Sequence, residues 1–165
     1  TVESDQLCGR SRIWGDVSLE TQAQVVSSVI DHLRQEGFSQ SEVCYALAVC
    51  RVESGFNPDA AAGTTSASGL GQFIDSTREV LCGRAGIENT GPFCMTVNLH
   101  CLTESLKESF RFADKRVAAG DTEGRYRLAY AYHHDGPSLK YGGAAIADKK
   151  ILPRLPVIEK ALRSN

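Results

Sequence analysis

Residues 43–58 read "VCYALAVCRVESGFNP", and the fold turns on how that run is taken. Eight consecutive apolar positions, Val43 to Cys50, fit a buried strand or a helix buried on every side. The preceding "SQSE", Ser39 to Glu42, is a capping box, and the alanines with Leu47 favour helix. The segment is therefore expected as a helix through the core, ending near Ser54 with Gly55 as the stop. Glu53 then stands as a carboxylate in the last turn of the most apolar helix. One turn back lie Val49 and Cys50. Burial and the negative end of the helix dipole both favour the protonated carboxyl, the state an acid needs to donate to a glycosidic oxygen. Arg51 does not face Glu53 at a spacing of two. The plainer alternative is an exposed terminal glutamate.

Outward from this run, helical patterns dominate. "SLETQAQVVSSVIDHLRQEGF" opens on Ser18 as N-cap, with Glu20 in the first turn. Its apolar stripe is Val25, Val26, Val29, Ile30 and Leu33, and it ends at Gly37. Further helices are expected over "DSTREVLC" (Asp75 as N-cap), "VNLHCLTESLKESFRFADKRVAAG", "EGRYRLAYAYHH" and "PVIEKALRSN", the last with Pro156 in its first turn. Strand signals are thin, so the fold class is mainly α, with a short hairpin at most in "DAAAGTTSASGLGQF".

The chain has 165 residues, 42% hydrophobic and 23% charged, consistent with one domain over residues 1–165. A net charge of −2 gives no basic field for nucleic acid, and no apolar run is long enough to span a membrane. "TVESDQLCGR" lacks the basic start and apolar stretch of a signal peptide. Six cysteines, Cys8, Cys44, Cys50, Cys82, Cys94 and Cys101, show no Cys-x-x-Cys spacing. An even set without metal spacing points to disulfides and an oxidising, periplasmic or extracellular setting; Cys82 with Cys94 could clasp the loop between them. The alternative is buried thiols acting as small hydrophobes.

Three blocks in order, "ESGFNP" with Glu53, "SGLGQF" (Ser68–Phe73) and "AYHHDGP" (Ala131–Pro137), resemble the goose-type lysozyme and soluble lytic transglycosylase group of peptidoglycan-cleaving enzymes. The resemblance implies a lysozyme-like fold, with Glu53 as the catalytic acid followed by Ser54. It implies that Ser68, Gln72 and Phe73 belong to a sugar-binding block usually read Gly-Leu-Met-Gln-Ile. Tyr132 aligns with a cleft tyrosine and His133 with an asparagine, and Tyr141 is a more weakly placed counterpart of a further cleft tyrosine. Two departures stand out: Gly71 replaces the methionine, and "HHD" is one residue longer than the family block. Of the stripe Tyr126, Tyr130 and Tyr132, the first two read as core.

Glycosidases normally use two carboxylates, and Asp135 is the candidate for the second. Asp59 reads instead as a loop hydrogen-bonder and Asp75 as a cap. As the resemblance implies, a transglycosylase manages with one, because the muramic acid 6-hydroxyl closes onto C1. Adjacent His133 and His134 do not make a metal site, and no cofactor is called for. The expected function is cleavage of the MurNAc–GlcNAc bond in peptidoglycan glycan strands by a monomeric, exported enzyme, a lysin or an antibacterial toxin. A toxin would imply an immunity protein as inhibitor. The alternatives are a two-carboxylate muramidase or glucosaminidase, a lysozyme-like module that binds glycan without cutting it, or a disulfide-braced interaction domain.

Overall fold

A computed structural model describes Cys8 and residues 17–163. Apart from Cys8, the stretch "TVESDQLCGR" read for a signal lies outside the described residues, as do Ser164 and Asn165. The described chain is mainly helical. In order it contains α1 (Leu19–Gln35), α2 (Gln40–Ser54), α3 (Asp75–Ala85), α4 (Met95–Asp114) and α5 (Thr122–Asp135). A continuous helical path follows, comprising α6 (Gly143–Ile146), a π turn (Ala147–Ile151), a 3-10 turn (Leu152–Arg154) and α7 (Leu155–Arg163).

Local chemistry sets the first two helix ends. The Ser18 hydroxyl accepts from the Thr21 N–H, and Ser39 and Glu42 complete the reciprocal box. Gly55 closes α2 at φ 58°, its N–H returning to the Arg51 carbonyl. At α3 the expectation needs correcting. The cap position is Ile74, and Asp75 is the first helical residue, its carboxylate bound to Arg78 three positions on. A carboxylate in the first turn still favours the helix dipole.

Every residue from Val43 to Cys50 is buried, so α2 is the central rod. It packs against α1 and α7, while α4 packs against α3 and α5. The α2–α4–α5 seam is aromatic. Tyr45 stacks on Tyr126 at 4.9 Å and meets Phe110 at 5.4 Å, and the Tyr126 hydroxyl is 2.5 Å from Ser41 Oγ. Burying each such side chain is worth roughly 1.5–3 kcal/mol, so the rod is fixed before any site residue contributes.

The expected hairpin amounts to isolated pairings of Ser68 with Ala61 and with Phe73. The cysteine reading also needs correction. All six are free thiols, and Cys8, Cys44, Cys50, Cys82 and Cys101 are buried. Cys44 and Cys50 are core side chains of α2, their thiols pushed up to about 11 and about 12 chiefly by burial. The Cys82–Cys94 clasp is absent; the Cys82 sulfur faces Cys101 on α4 instead.

Candidate active site

Glu53 is the penultimate residue of α2, with its side chain 15% exposed. The Tyr130 hydroxyl, from α5, donates to Glu53 Oε1 at 2.7 Å. Tyr130 is itself 1% exposed, so this hydrogen bond lies where water competes little. Burial first and the Glu53 carboxylate second push the Tyr130 phenol up, which keeps it a donor. The Tyr130 ring belongs to the core as expected from its spacing, but its hydroxyl belongs to the site.

His133 is the second neighbour. Its Nε2 lies 3.1 Å from the Gly71 carbonyl and 3.8 Å from Glu53 Oε1, and its Nδ1 is 3.3 Å from Ser105 Oγ. A carbonyl only accepts, so Nε2 carries the hydrogen and Nδ1 accepts from Ser105. Burial lowers the His133 pKa, against the opposing pull of Glu53, so a neutral ring with a fixed tautomer stands beside the acid.

That arrangement depends on Gly71. A Cβ at Gly71 would come within 2.6 Å of the Phe73 ring. Phe73 thus fills the space a side chain at 71 would take, and its ring meets His133 edge-on at 5.6 Å. The missing methionine is replaced by an aromatic two residues later. The loop is pinned from α4 by Asn98, whose Oδ1 accepts from the Leu70 N–H at 2.7 Å. Its Nδ2 donates to the Pro92 and Cys94 carbonyls. Sequence reading missed Asn98, although a polar residue on the buried face of an amphipathic helix is a usable signal.

Gln72 sits at φ 53°, a left-handed conformation held by two side-chain bonds from Nε2 to the Ala60 and Gly69 carbonyls. Both amide hydrogens are spent on the loop, so Oε1, an acceptor, is what Gln72 offers a ligand. A cavity of about 420 Å³ is lined by Gln72, Phe73, Tyr132, His133, Asp135 and Glu108, among others. Glu53 is not among the lining side chains and meets the cavity at His133.

The other expected contacts distribute unevenly. The Ser54 hydroxyl is buried and donates to Cys50 O in its own helix, and the Ser68 hydroxyl donates to Ser66 O, so both serve the backbone. Tyr132 lines the cavity but stacks on Phe112 and donates to Glu108 Oε1 at 2.5 Å. Tyr141 is 72% exposed and outside the lining. Both oxygens of Asp135 accept from the Gly143 N–H at 3.1 Å, Oδ1 also contacts His134 Nδ1, and its side chain is 1% exposed. Burial would raise the Asp135 pKa, but His134 and the Gly143 and Tyr141 N–H groups outweigh it and hold the carboxyl low.

Glu108 was not anticipated from sequence. Burial would raise its pKa, yet the Tyr132 hydroxyl and Arg84 guanidinium outweigh that and keep it ionised. Among the described residues no three His, Cys, Asp or Glu side chains converge to hold a metal.

Glu53 at the end of a buried helix, the Gly-rich loop and the C-terminal end of α5 carry the three motif blocks. The phage tail lysozyme family model matches residues 24–137, a span that holds all three blocks. The chain belongs to the phage tail lysozyme family. No curated protein and no solved structure gives a match. Within the phage tail lysozyme match fall α2, the "SGLGQF" loop and all of α5, whereas α6 and α7 lie beyond it. No helix among the described residues is long and apolar enough to cross a membrane.

Proposed function

We propose that this chain cleaves peptidoglycan glycan strands at the MurNAc–GlcNAc bond as a lytic transglycosylase, with Glu53 serving first as acid and then as base. Membership of a lysozyme family supports peptidoglycan cleavage in general. The order of the motif blocks, which resembles goose-type lysozymes and soluble lytic transglycosylases, supports the finer reading. The observation that carries it is the Tyr130–Glu53 hydrogen bond. A hydroxyl donating to Oε1 leaves the carboxyl proton on Oε2, the oxygen free to face a substrate.

In the first step Oε2 gives its proton to the glycosidic oxygen as the C1–O bond breaks, and the GlcNAc side leaves as an alcohol. In the second, the ionised Glu53 takes the proton of the muramic acid 6-hydroxyl, whose oxygen closes onto C1. The proton returns to Glu53 and no water is consumed. Gln72 Oε1 would accept from a sugar hydroxyl or acetamido N–H, and Tyr132 and Phe73 would supply apolar surface. His133 acts as a positioning residue, tying Gly71 to the acid. The domain would act where wall glycan lies, outside the cytoplasmic membrane.

Asp135 supports the single-carboxylate reading, because its oxygens are taken by Gly143 and His134 and little surface is left for water. A two-carboxylate hydrolase has one observation in its favour: Glu108 lines the cavity as an ionised carboxylate. Its oxygens are engaged by Tyr132 and Arg84, which argues for a positioning role. Mass spectrometry of digested wall separates the readings. Anhydro-muramyl ends support transglycosylation; reducing MurNAc ends mean a muramidase; reducing GlcNAc ends would overturn the bond assignment.

A further inference from the structure

One pair of thiols meets across the cleft wall. Cys82 Sγ on α3 lies 3.7 Å from Cys101 Sγ on α4, and the residues are 2% and 0% exposed. They share an apolar cluster with Phe73, Leu81 and Val97. Phe73 and Leu81 line the cavity, as do Thr77 on α3 and Ser105, Glu108 and Ser109 on α4. The contact therefore joins the two helices that form one wall of the candidate site.

We propose that Cys82 and Cys101 are a dithiol site that closes to a disulfide in an oxidising environment and so fixes that wall. The sulfurs are at contact distance, and a bond needs them to approach to about 2.05 Å, a shift within reach of side-chain torsions. The co-reactant is a disulfide of the exchange type, such as glutathione disulfide. One cysteine thiolate attacks a partner sulfur and expels a partner thiolate. The second cysteine thiolate attacks the mixed disulfide and expels the other. The two cysteines are oxidised, the partner disulfide is reduced to two thiols, and the two cysteine protons pass to solvent or to the departing thiolates.

The reaction belongs to the opening of the α3–α4 hairpin, not to the closed fold. Burial first and the neighbouring Cys82 second push the Cys101 thiol up, while the Arg78 guanidinium pulls the other way. Arg78 is 8% exposed, and its Nε and Nη1 have no hydrogen-bond partner. Its third nitrogen, Nη2, is paired with Asp75, and the guanidinium still favours the Cys101 thiolate. The bond would span a short segment between neighbouring helices, and its effect falls on the wall rather than on α2.

The test unfolds the full chain in urea, refolds it in a glutathione redox buffer, and maps linked peptides by mass spectrometry after non-reducing proteolysis. A dominant Cys82–Cys101 peptide is expected, with a Tm roughly 5–10 °C above that of the same protein under reductant. Cys82→Ser should fold, lose the linked peptide and show no reductant-dependent Tm. A dominant link through Cys94, or six alkylatable thiols after refolding, would overturn the proposal. Neither readout involves glycan cleavage, so its failure is separable from failure of the proposed function.

Discussion

The Tyr130 hydroxyl, 77 positions along the chain from Glu53, donates to Glu53 Oε1 at 2.7 Å. The Glu53 side chain is thus held by a core side chain of α5 rather than by a partner on its own helix. Removing only that hydroxyl, as Tyr130→Phe, should lower kcat roughly tenfold with KM little changed, since a loosely held acid spends less time aligned. The lost buried hydrogen bond should cost about 1 kcal/mol in urea unfolding. A variant with wild-type kcat would show that Glu53 needs no such support.

Glu53→Gln keeps an acceptor for Tyr130 and removes the transferable proton. Release of soluble fragments from purified wall should fall by roughly 10²–10⁴-fold, with the melting curve nearly unchanged. Retained activity in the folded variant would remove Glu53 from the mechanism.

Asp135→Asn separates a catalytic carboxylate from a structural one. With its carboxylate bound to the Gly143 N–H and buried, the substitution should cost about 1–3 kcal/mol of stability. Cleavage by the folded fraction should stay within about threefold of wild type. A loss on the scale of a missing general base, about 10²-fold or more, would favour the two-carboxylate hydrolase instead.

Acidification should weaken the fold through two partly buried histidines. His133 and His32 are both lowered from 6.5, each chiefly by burial, and His32 additionally by His100. The unfolded chain therefore binds protons first, so stability present above about pH 6.5 is lost as pH falls toward the folded values. Calorimetry between about pH 7.5 and 5 should show a falling Tm, and His133→Gln should flatten part of that slope. An unchanged slope would mean that His133 is not held neutral in the fold.

Gly71→Met restores the residue usual in the resembling families and should fail alone, because its Cβ would meet the Phe73 ring at 2.6 Å. A cost of about 1–3 kcal/mol is expected. In a Phe73→Ala background the same change should cost less, and a double-mutant cycle in urea would measure that coupling. Simple additivity would show that the two positions do not share the space.

The helix starts at Ser18 and at the Ser39–Glu42 box, the stop at Gly55 and the burial of Val43–Cys50 were all legible locally. Capping and periodicity act within about four residues, so a sequence displays them directly. Asp75 was misplaced by one position because a carboxylate serves nearly as well in the first turn as at the cap. Within the motif blocks, residue types were readable but their partners were not. Ser54 and Ser68 turned to backbone carbonyls, Gln72 gave its donors to its own loop, and Asp135 closed on Gly143.

By itself the sequence determined a mainly α chain with one carboxylate at the end of a buried rod, "VCYALAVCRVES". Only the tertiary structure decided what that carboxylate touches: Tyr130 from α5, and His133, whose ring also reaches Gly71 and Ser105. The same holds for the sulfurs, where Cys82 meets Cys101 and not Cys94. These contacts join residues 19 to 80 positions apart, and their geometry depends on how α2, α3, α4 and α5 pack. Packing is a property of the assembled core, fixed by side-chain volume and helix crossing rather than by any local signal.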